Sequence, residues 1–82
     1  MDENEFISLK LFLLSIKNDI SDDNLEVAKE SIIHRLLQID CKSLRESIQD
    51  VRQAPNSERL KEKVGSIVAL CDLIVKTRYT LC

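Results

Sequence analysis

Few side chains in this chain could act as a nucleophile, a base or a ligand for a soft metal. Its 82 residues include one histidine and three cysteines. His34 follows a helical pattern beside Arg35, and no nucleophile lies near it in sequence. Cys41 and Cys71 occupy apolar positions, where a thiol behaves as a small hydrophobic group rather than as a low-pKa nucleophile. We therefore expect no enzymatic activity.

No cofactor or metal site is expected either. The cysteines form no C-x-x-C pair, and one histidine adds too few ligands for zinc. The acidic stretch 18–27 (NDISDDNLEV) lacks the alternating acids and the central glycine of a calcium loop. The chain also has no glycine-rich phosphate loop. An odd number of unpaired cysteines predicts reduced thiols, two of them facing the core, in a reducing compartment such as the cytosol or nucleus.

The charge distribution argues against nucleic acid and membrane as partners. Net charge is −2, and the densest basic cluster, 59–63 (RLKEK), alternates with acids as on a solvated helix. The first thirty residues carry eight acids against three lysines. Those lysines (Lys10, Lys17 and Lys29) interrupt every early apolar run before it reaches the length of a membrane span.

Apolar residues recur at steps of three and four, which predicts helices. One helix is expected from about Glu3 to Asn18, with Phe6, Leu9 and Leu13 on its buried face. A second should start after Ser21–Asn24 and end near Gln38, with an apolar face that is widened by Ile33 and Leu37. A short third should stop at Ala54 because Pro55 follows. Asn56 or Ser57 should cap a final helix of about 25 residues. Residues 1–82 should therefore form a single all-α domain: a compact bundle of four to five antiparallel helices built from helical hairpins.

Several local features carry further expectations. Asp23 with Glu26, and Ser43 with Glu46, have the spacing of capping boxes. Ile7, Leu11 and Leu14 form a second apolar stripe, which predicts that the first helix is contacted from two sides. Gly65, inside the last helix, predicts a close helix crossing. The chain ends at Leu81-Cys82 without a cap, as expected for a domain excised from a longer protein.

One acidic stretch resembles a known recognition loop. The run Ile16-Lys17-Asn18, then Ile20, then 23–27 (DNLEV) resembles the first interhelical loop of the integrase-binding domain family. That family includes the lens-epithelium-derived growth factor and the hepatoma-derived growth factor-related chromatin proteins. The match is gapless over 16–27, and beyond it the likeness is in helix order and length. The resemblance implies a bundle similar to the transcription-elongation-factor N-terminal domain.

The resemblance also implies a role for this loop. By analogy, Asp23 accepts hydrogen bonds from backbone N–H groups of a disordered partner peptide, and Ile20 helps line a pocket for a partner Phe. Charge-assisted bonds and a buried aromatic anchor are strong contributors to binding. Asp22, Asn24, Arg52 and Arg59 complete the expected partner-binding set. The expected function is that of a monomeric adaptor domain of a nuclear, chromatin-associated protein, which docks short Phe-containing motifs.

Two departures from the family bear on the partner. Asp22 stands where relatives have an aliphatic residue, and 54–58 (APNSE) replaces a basic, aromatic second loop. Recognition of viral integrase is therefore not expected, and a cellular partner with less acidic flanks fits better. Asp23 could also cap the second helix, a role compatible with recognition. A different class of function stays open: a homotypic, death-effector-like helical interaction domain.

Overall fold

Residues 3–82 fold into four α-helices. A computed structural model describes residues 3–82 and places α1 at Glu3–Lys17, α2 at Leu25–Leu37, α3 at Lys42–Gln53 and α4 at Ser57–Lys76. A 3₁₀ turn at Asp22–Asn24 leads into α2. No strand occurs within these eighty described residues. The bundle measures 37 × 21 × 18 Å along its principal axes. The prediction of a compact all-α bundle is confirmed.

The predicted apolar stripes form the core. α1 packs mainly along α4, and α2 packs mainly along α3. Removing a large aliphatic side chain from water contributes about 1.5–3 kcal/mol, so these stripes dominate folding. The most deeply buried side chains come from all four helices: Phe6, Leu9, Leu13, Ile32, Leu36, Leu44, Val51, Leu60, Val64 and Ile74.

The connection between α3 and α4 forms as expected from its residues. α3 ends at Gln53, and Ala54 adopts an extended backbone before Pro55. Asn56 is the N-cap of α4, and its Oδ1 accepts a hydrogen bond from the Arg59 N–H at 2.9 Å. That bond satisfies one of the N–H groups that the first helical turn leaves unpaired.

The start of α3 differs from the prediction. Cys41 holds the N-cap position, and Ser43 lies inside the first turn, so the expected Ser43–Glu46 capping box is absent. The Ser43 hydroxyl instead donates a hydrogen bond to the Leu81 carbonyl at 2.5 Å. A tertiary contact with the end of the chain therefore replaces the local cap.

α4 ends five residues before the predicted limit near Leu81. The Tyr79 N–H donates to the Ile74 carbonyl at 2.8 Å, and the Arg78 N–H donates to the Val75 carbonyl at 3.1 Å. This is the hydrogen-bond pattern of a Schellman motif. Arg78 and Tyr79 have φ values of 56° and 69°, in the left-handed region. The reversal brings the Tyr79 ring to 5.5 Å from the Phe6 ring, centroid to centroid.

The left-handed turn after α4 also brings two cysteines together. Cys82 is disulfide-bonded to Cys41, with their Cα atoms 4.4 Å apart. The expectation of three reduced thiols was therefore wrong for this pair, and a disulfide is at odds with a reducing compartment. Cys71 stays a free, buried thiol, and both Cys41 and Cys71 lie in the core as predicted. Burial, with the Asp72 carboxylate adding to it, raises the pKa of the Cys71 thiol to about 11.

Two expectations about helix contacts fail. A Cβ added to Gly65 would lie 3.5 Å from Lys17 Nζ, which is ordinary contact with a flexible tip and not a close backbone crossing. Ile7, Leu11 and Leu14 remain exposed, so no element of the described bundle covers this second face of α1.

Among residues 3–82, no helix combines the length and apolar character that crossing a bilayer requires.

Candidate functional site

Two connections meet at one end of the bundle. Residues 18–24 join α1 to α2, and residues 54–56 join α3 to α4; together they are called the loop end. Because successive helices run antiparallel, the ends of α1 and α3 and the starts of α2 and α4 lie at this side. Asp22 Oδ1 accepts a hydrogen bond from the Ser57 N–H at 2.9 Å. This bond ties the two connections together.

Asp22 is a brace within the fold. The hydrogen bond from the Ser57 backbone lowers the pKa of the Asp22 carboxyl, helped by the Ser57 hydroxyl and the positive charge of Lys61. Ser57 is the first residue of α4, where backbone N–H groups lack a partner within the helix. The Asp22 carboxylate therefore caps a helix that begins 35 positions away in sequence.

Asn24 holds the loop together internally. Its Oδ1 accepts a hydrogen bond from the Ser21 N–H, and its Nδ2 donates one to the Asp19 carbonyl, both at 2.8 Å. An amide can make further bonds, but both of its polar atoms are already engaged here. Asn24 therefore shapes the loop.

Asp23 is exposed between these two braced residues. α2 begins at Leu25 with Asn24 in the N-cap position, so the predicted Asp23–Glu26 capping box does not form. The 3₁₀ turn places Asp23 one residue too early to cap α2. Within the described part of the chain, its carboxylate has neither a hydrogen bond nor an ion pair. Asp23 therefore presents an unpaired acceptor to solvent.

Ile20 does not form the wall of an open slot in this conformation. Its side chain is 3% exposed and belongs to the hydrophobic core. A partner Phe could touch it only if the loop moved.

The two predicted arginines are exposed and lie on different sides of the connection 54–56. The Arg59 guanidinium lies 3.0 Å from Glu62, so its charge is largely offset by a neighbour on the same helix. Arg52 lines the cleft between α2 and α3, and its carbonyl accepts a hydrogen bond from Lys29 Nζ at 3.2 Å. Only Arg52 therefore faces the same side as α2.

The α2–α3 cleft runs from the loop end along α2 and supplies apolar surface at Ile33 and Leu37, about 12 Å and 18 Å beyond the first residue of that helix. It encloses about 460 Å³ and is lined by Glu26, Lys29, Glu30, Ile33, His34, Leu37 and Arg52. Ile33 is half-buried and Leu37 is 55% exposed. The cleft starts at Glu26, three residues after Asp23. Sequence reasoning placed Ile33 and Leu37 on the α2 apolar face but did not assign them to a site, because which helix covers that face depends on packing.

The Lys29 ammonium fixes the geometry of this cleft. Lys29 is 9% exposed, and its Nζ lies 3.2 Å from the Arg52 carbonyl and 3.8 Å from Glu26 Oε1. The Arg52 carbonyl is among those that the last turn of α3 leaves unpaired, and a cation is favourable at a helix C-terminus. Lys29 therefore links the start of α2 to the end of α3.

Residues 3–82 hold no cluster of three or more histidine, cysteine, aspartate or glutamate side chains arranged for a metal ion. Comparison of the chain with protein-family models, with curated proteins and with solved structures finds no match.

Proposed function

We propose that this chain is an adaptor domain that docks short, disordered, Phe-containing motifs of chromatin-associated partners at the loop end. The observation that carries the proposal is the state of Asp23. Its carboxylate is exposed and unpaired among the described residues, while the residues on either side of it are held by hydrogen bonds. The family assignment rests on the resemblance of residues 16–27.

The chemistry of Asp23 suits backbone recognition. An ionised carboxylate accepts hydrogen bonds through two oxygens, and charge-assisted bonds are about twice as strong as neutral ones. An extended peptide offers successive N–H groups to such an acceptor. Because the Asp23 carboxylate makes no hydrogen bond or ion pair within the described fold, this binding would not break an existing contact.

The braces on either side reduce the cost of binding. Asp22 is fixed to Ser57, and Asn24 is fixed to Ser21 and Asp19. A loop already held in one conformation loses less entropy when a peptide docks. Asp22 and Asn24 thus support the site without touching the peptide.

The aromatic anchor is assigned to the α2–α3 cleft. Ile33 and Leu37 give it apolar surface about 12–18 Å along α2 from the loop end, a span that an extended peptide covers in roughly four to six residues. A side chain of Phe size is a common interface anchor when it fills such a slot. This replaces the pocket that the resemblance implied beside Ile20, which is buried.

Nuclear placement rests on the resemblance alone. The Cys41–Cys82 disulfide is at odds with a reducing compartment. Alkylation of free thiols in intact cells distinguishes a nuclear location from an oxidising compartment. In the nucleus Cys82 should be reduced and therefore alkylated, whereas in an oxidising compartment the disulfide should protect it.

An NMR titration tests the location of the site. The probe is a set of synthetic peptides of about 15 residues, each with a single Phe in a disordered polar context, and each paired with its Phe→Ala control. Changes in backbone amide chemical shift should be largest at residues 21–27, at 30–37 and around Arg52. They should be absent when the Phe→Ala control peptides are added. Shifts confined to other faces would contradict the proposal. The death-effector-like alternative predicts no response to any peptide.

A further inference from the structure

α1 carries a line of exposed aliphatic side chains that no part of the described bundle covers. Ile7 is 46% exposed, Leu11 63% and Leu14 43%. Steps of four and three residues place them along one line of the helix. This line faces away from the side on which Phe6, Leu9 and Leu13 enter the core. Scattered exposed aliphatic residues are ordinary, but a continuous row on one helix marks an interaction surface.

Charged residues run beside this row. Glu3, Lys10 and Lys17 are spaced by seven residues, or about two turns, so they share one flank of α1. Lys10 Nζ forms an ion pair with Asp72 of α4 at 2.8 Å, and Lys17 Nζ lies beside Gly65 of α4. These contacts place the flank on the α4 side of the row. It is negative at the start of the helix and positive at its end.

We propose that two copies of the chain pair through this face, with their α1 helices antiparallel about a two-fold axis between Lys10 and Leu11. In this register, Ile7 of each copy lies opposite Leu14 of the other. Such an axis also sets the charged flank of one copy against the same flank of the second in reverse order. Glu3 then lies near Lys17 of the second copy, twice per dimer. The face is self-complementary, as a two-fold interface requires.

The charges discriminate against the alternative arrangement. A parallel pair about a two-fold axis would place the two charged flanks on opposite sides of the interface, so that Glu3 and Lys17 of different copies would not meet, and it would align the two helix dipoles. The antiparallel pair brings unlike charges together at both ends and sets the two helix dipoles in opposite directions. At the axis, each Lys10 is already neutralised by Asp72 of its own chain, which limits repulsion there. The pattern on α1 therefore fits a second copy of this chain.

The pair is small and leaves the loop end open. Three aliphatic side chains per copy make an interface at the low end of the size range, so the dimer is weak and reversible. The axis lies seven residues, or about 10 Å, before the end of α1. The two loop ends therefore point in opposite directions, and one dimer would present two docking sites. The dimer does not depend on the proposed docking function.

Sedimentation equilibrium of the chain at increasing concentration tests the pairing. The average mass should rise from monomer to dimer, with a midpoint on the order of 10–100 µM. Leu11→Glu should weaken association at least tenfold. The matched control is Leu73→Glu, which alters a residue on α4 that is 48% exposed, and it should leave the midpoint unchanged. Circular dichroism melts of both variants verify folding.

Charge reversal tests the register. Glu3→Lys and Lys17→Glu should each weaken the dimer several-fold, and the double variant should restore the original midpoint because both pairs are rebuilt with opposite sign. A chain that stays monomeric to about 1 mM overturns the proposal. Equal effects of Leu11→Glu and Leu73→Glu, or a double variant weaker than either single one, also overturn it.

Discussion

The Asp22 carboxylate accepts a hydrogen bond from the backbone N–H of Ser57 at 2.9 Å, across 35 positions of sequence. This bond joins the first connection of the bundle to the start of its last helix. The neighbouring carboxylate, Asp23, makes no such bond among the described residues. Two adjacent acids of one type thus differ in role: one stabilises the loop end, and the other faces solvent.

The two acids should respond differently to substitution. Asp22→Ala should lower the melting temperature, because the Ser57 N–H loses its acceptor and the two connections separate. Asp23→Ala should leave the melting temperature unchanged and serves as the matched control. Thermal melts followed by circular dichroism at neutral pH measure both. Equal melting temperatures for the two variants would contradict the assignment of Asp22 as the brace.

Lowering the pH should remove the contribution of the Asp22 carboxylate to the stability of the fold. Its pKa is lowered from the usual value of 3.8 by the bond from Ser57, so the folded state favours the ionised form. The stabilisation is present above pH 3.8 and is lost as the pH falls below it through the lowered folded-state pKa. The difference in melting temperature between wild type and Asp22→Ala should therefore shrink as the solution is acidified below pH 3.8. A difference that stays constant as the pH falls well below 3.8 would count against the ionised brace.

The Cys41–Cys82 bond should contribute much of the stability of so small a bundle. It closes a loop between cysteines 41 positions apart, and such a crosslink is worth about 2–4 kcal/mol. Cys82→Ser should lower the free energy of unfolding by that amount in urea titrations. Dithiothreitol should destabilise wild type equally and leave Cys82→Ser unaffected. Equal stability of wild type with and without reductant would show that the bond does not form in solution.

The buried thiol of Cys71 should make the fold sensitive to alkali. Its pKa is raised to about 11 by burial and by Asp72, against a usual value of 9.0. The neutral thiol therefore stabilises the folded state fully below pH 9, and this stabilisation is lost as the pH rises from 9 towards 11. The loss should approach about 3 kcal/mol. Cys71→Ala should show a shallower decline over the same range, and parallel declines would refute this origin.

The end of α4 offers a stabilising change. Arg78 has a φ of 56°, a region in which glycine has no steric penalty. Arg78→Gly should therefore raise the free energy of unfolding by about 0.5–1 kcal/mol. Ala69→Gly, within the helical part of α4, is the control of opposite sign and should lower it by about 1 kcal/mol. If both substitutions destabilise the chain, the left-handed helix end is not formed in solution.

The fold could be read from the sequence because apolar spacing reports directly on buried helix faces. Phe6, Leu9 and Leu13 were placed correctly by their steps of three and four, and Pro55 and Asn56 marked a helix boundary through local backbone chemistry. These signals act over one or two turns, so they need no knowledge of how the helices pack.

The features that were missed all depend on contacts between distant residues. The partner of Asp22 is a backbone group 35 positions away, and the partner of Cys41 lies at the end of the chain. The end of α4 carries no glycine that would signal it, since the left-handed position is occupied by Arg78. The contacts found beside this turn, Tyr79 with Phe6 and Cys82 with Cys41, join residues that are far apart in sequence. Ile20 could be identified as apolar, but whether it lined a slot or the core depended on packing.

The most direct test of the docking proposal is isothermal titration calorimetry of wild type and Asp23→Asn with a Phe-containing peptide selected by the NMR titration. The substitution keeps the size of the side chain and removes its charge. Binding should weaken at least tenfold, with an unchanged melting temperature, because Asp23 bonds to nothing in the described fold. Unchanged affinity for the same peptide would contradict the central claim that the Asp23 carboxylate receives the partner.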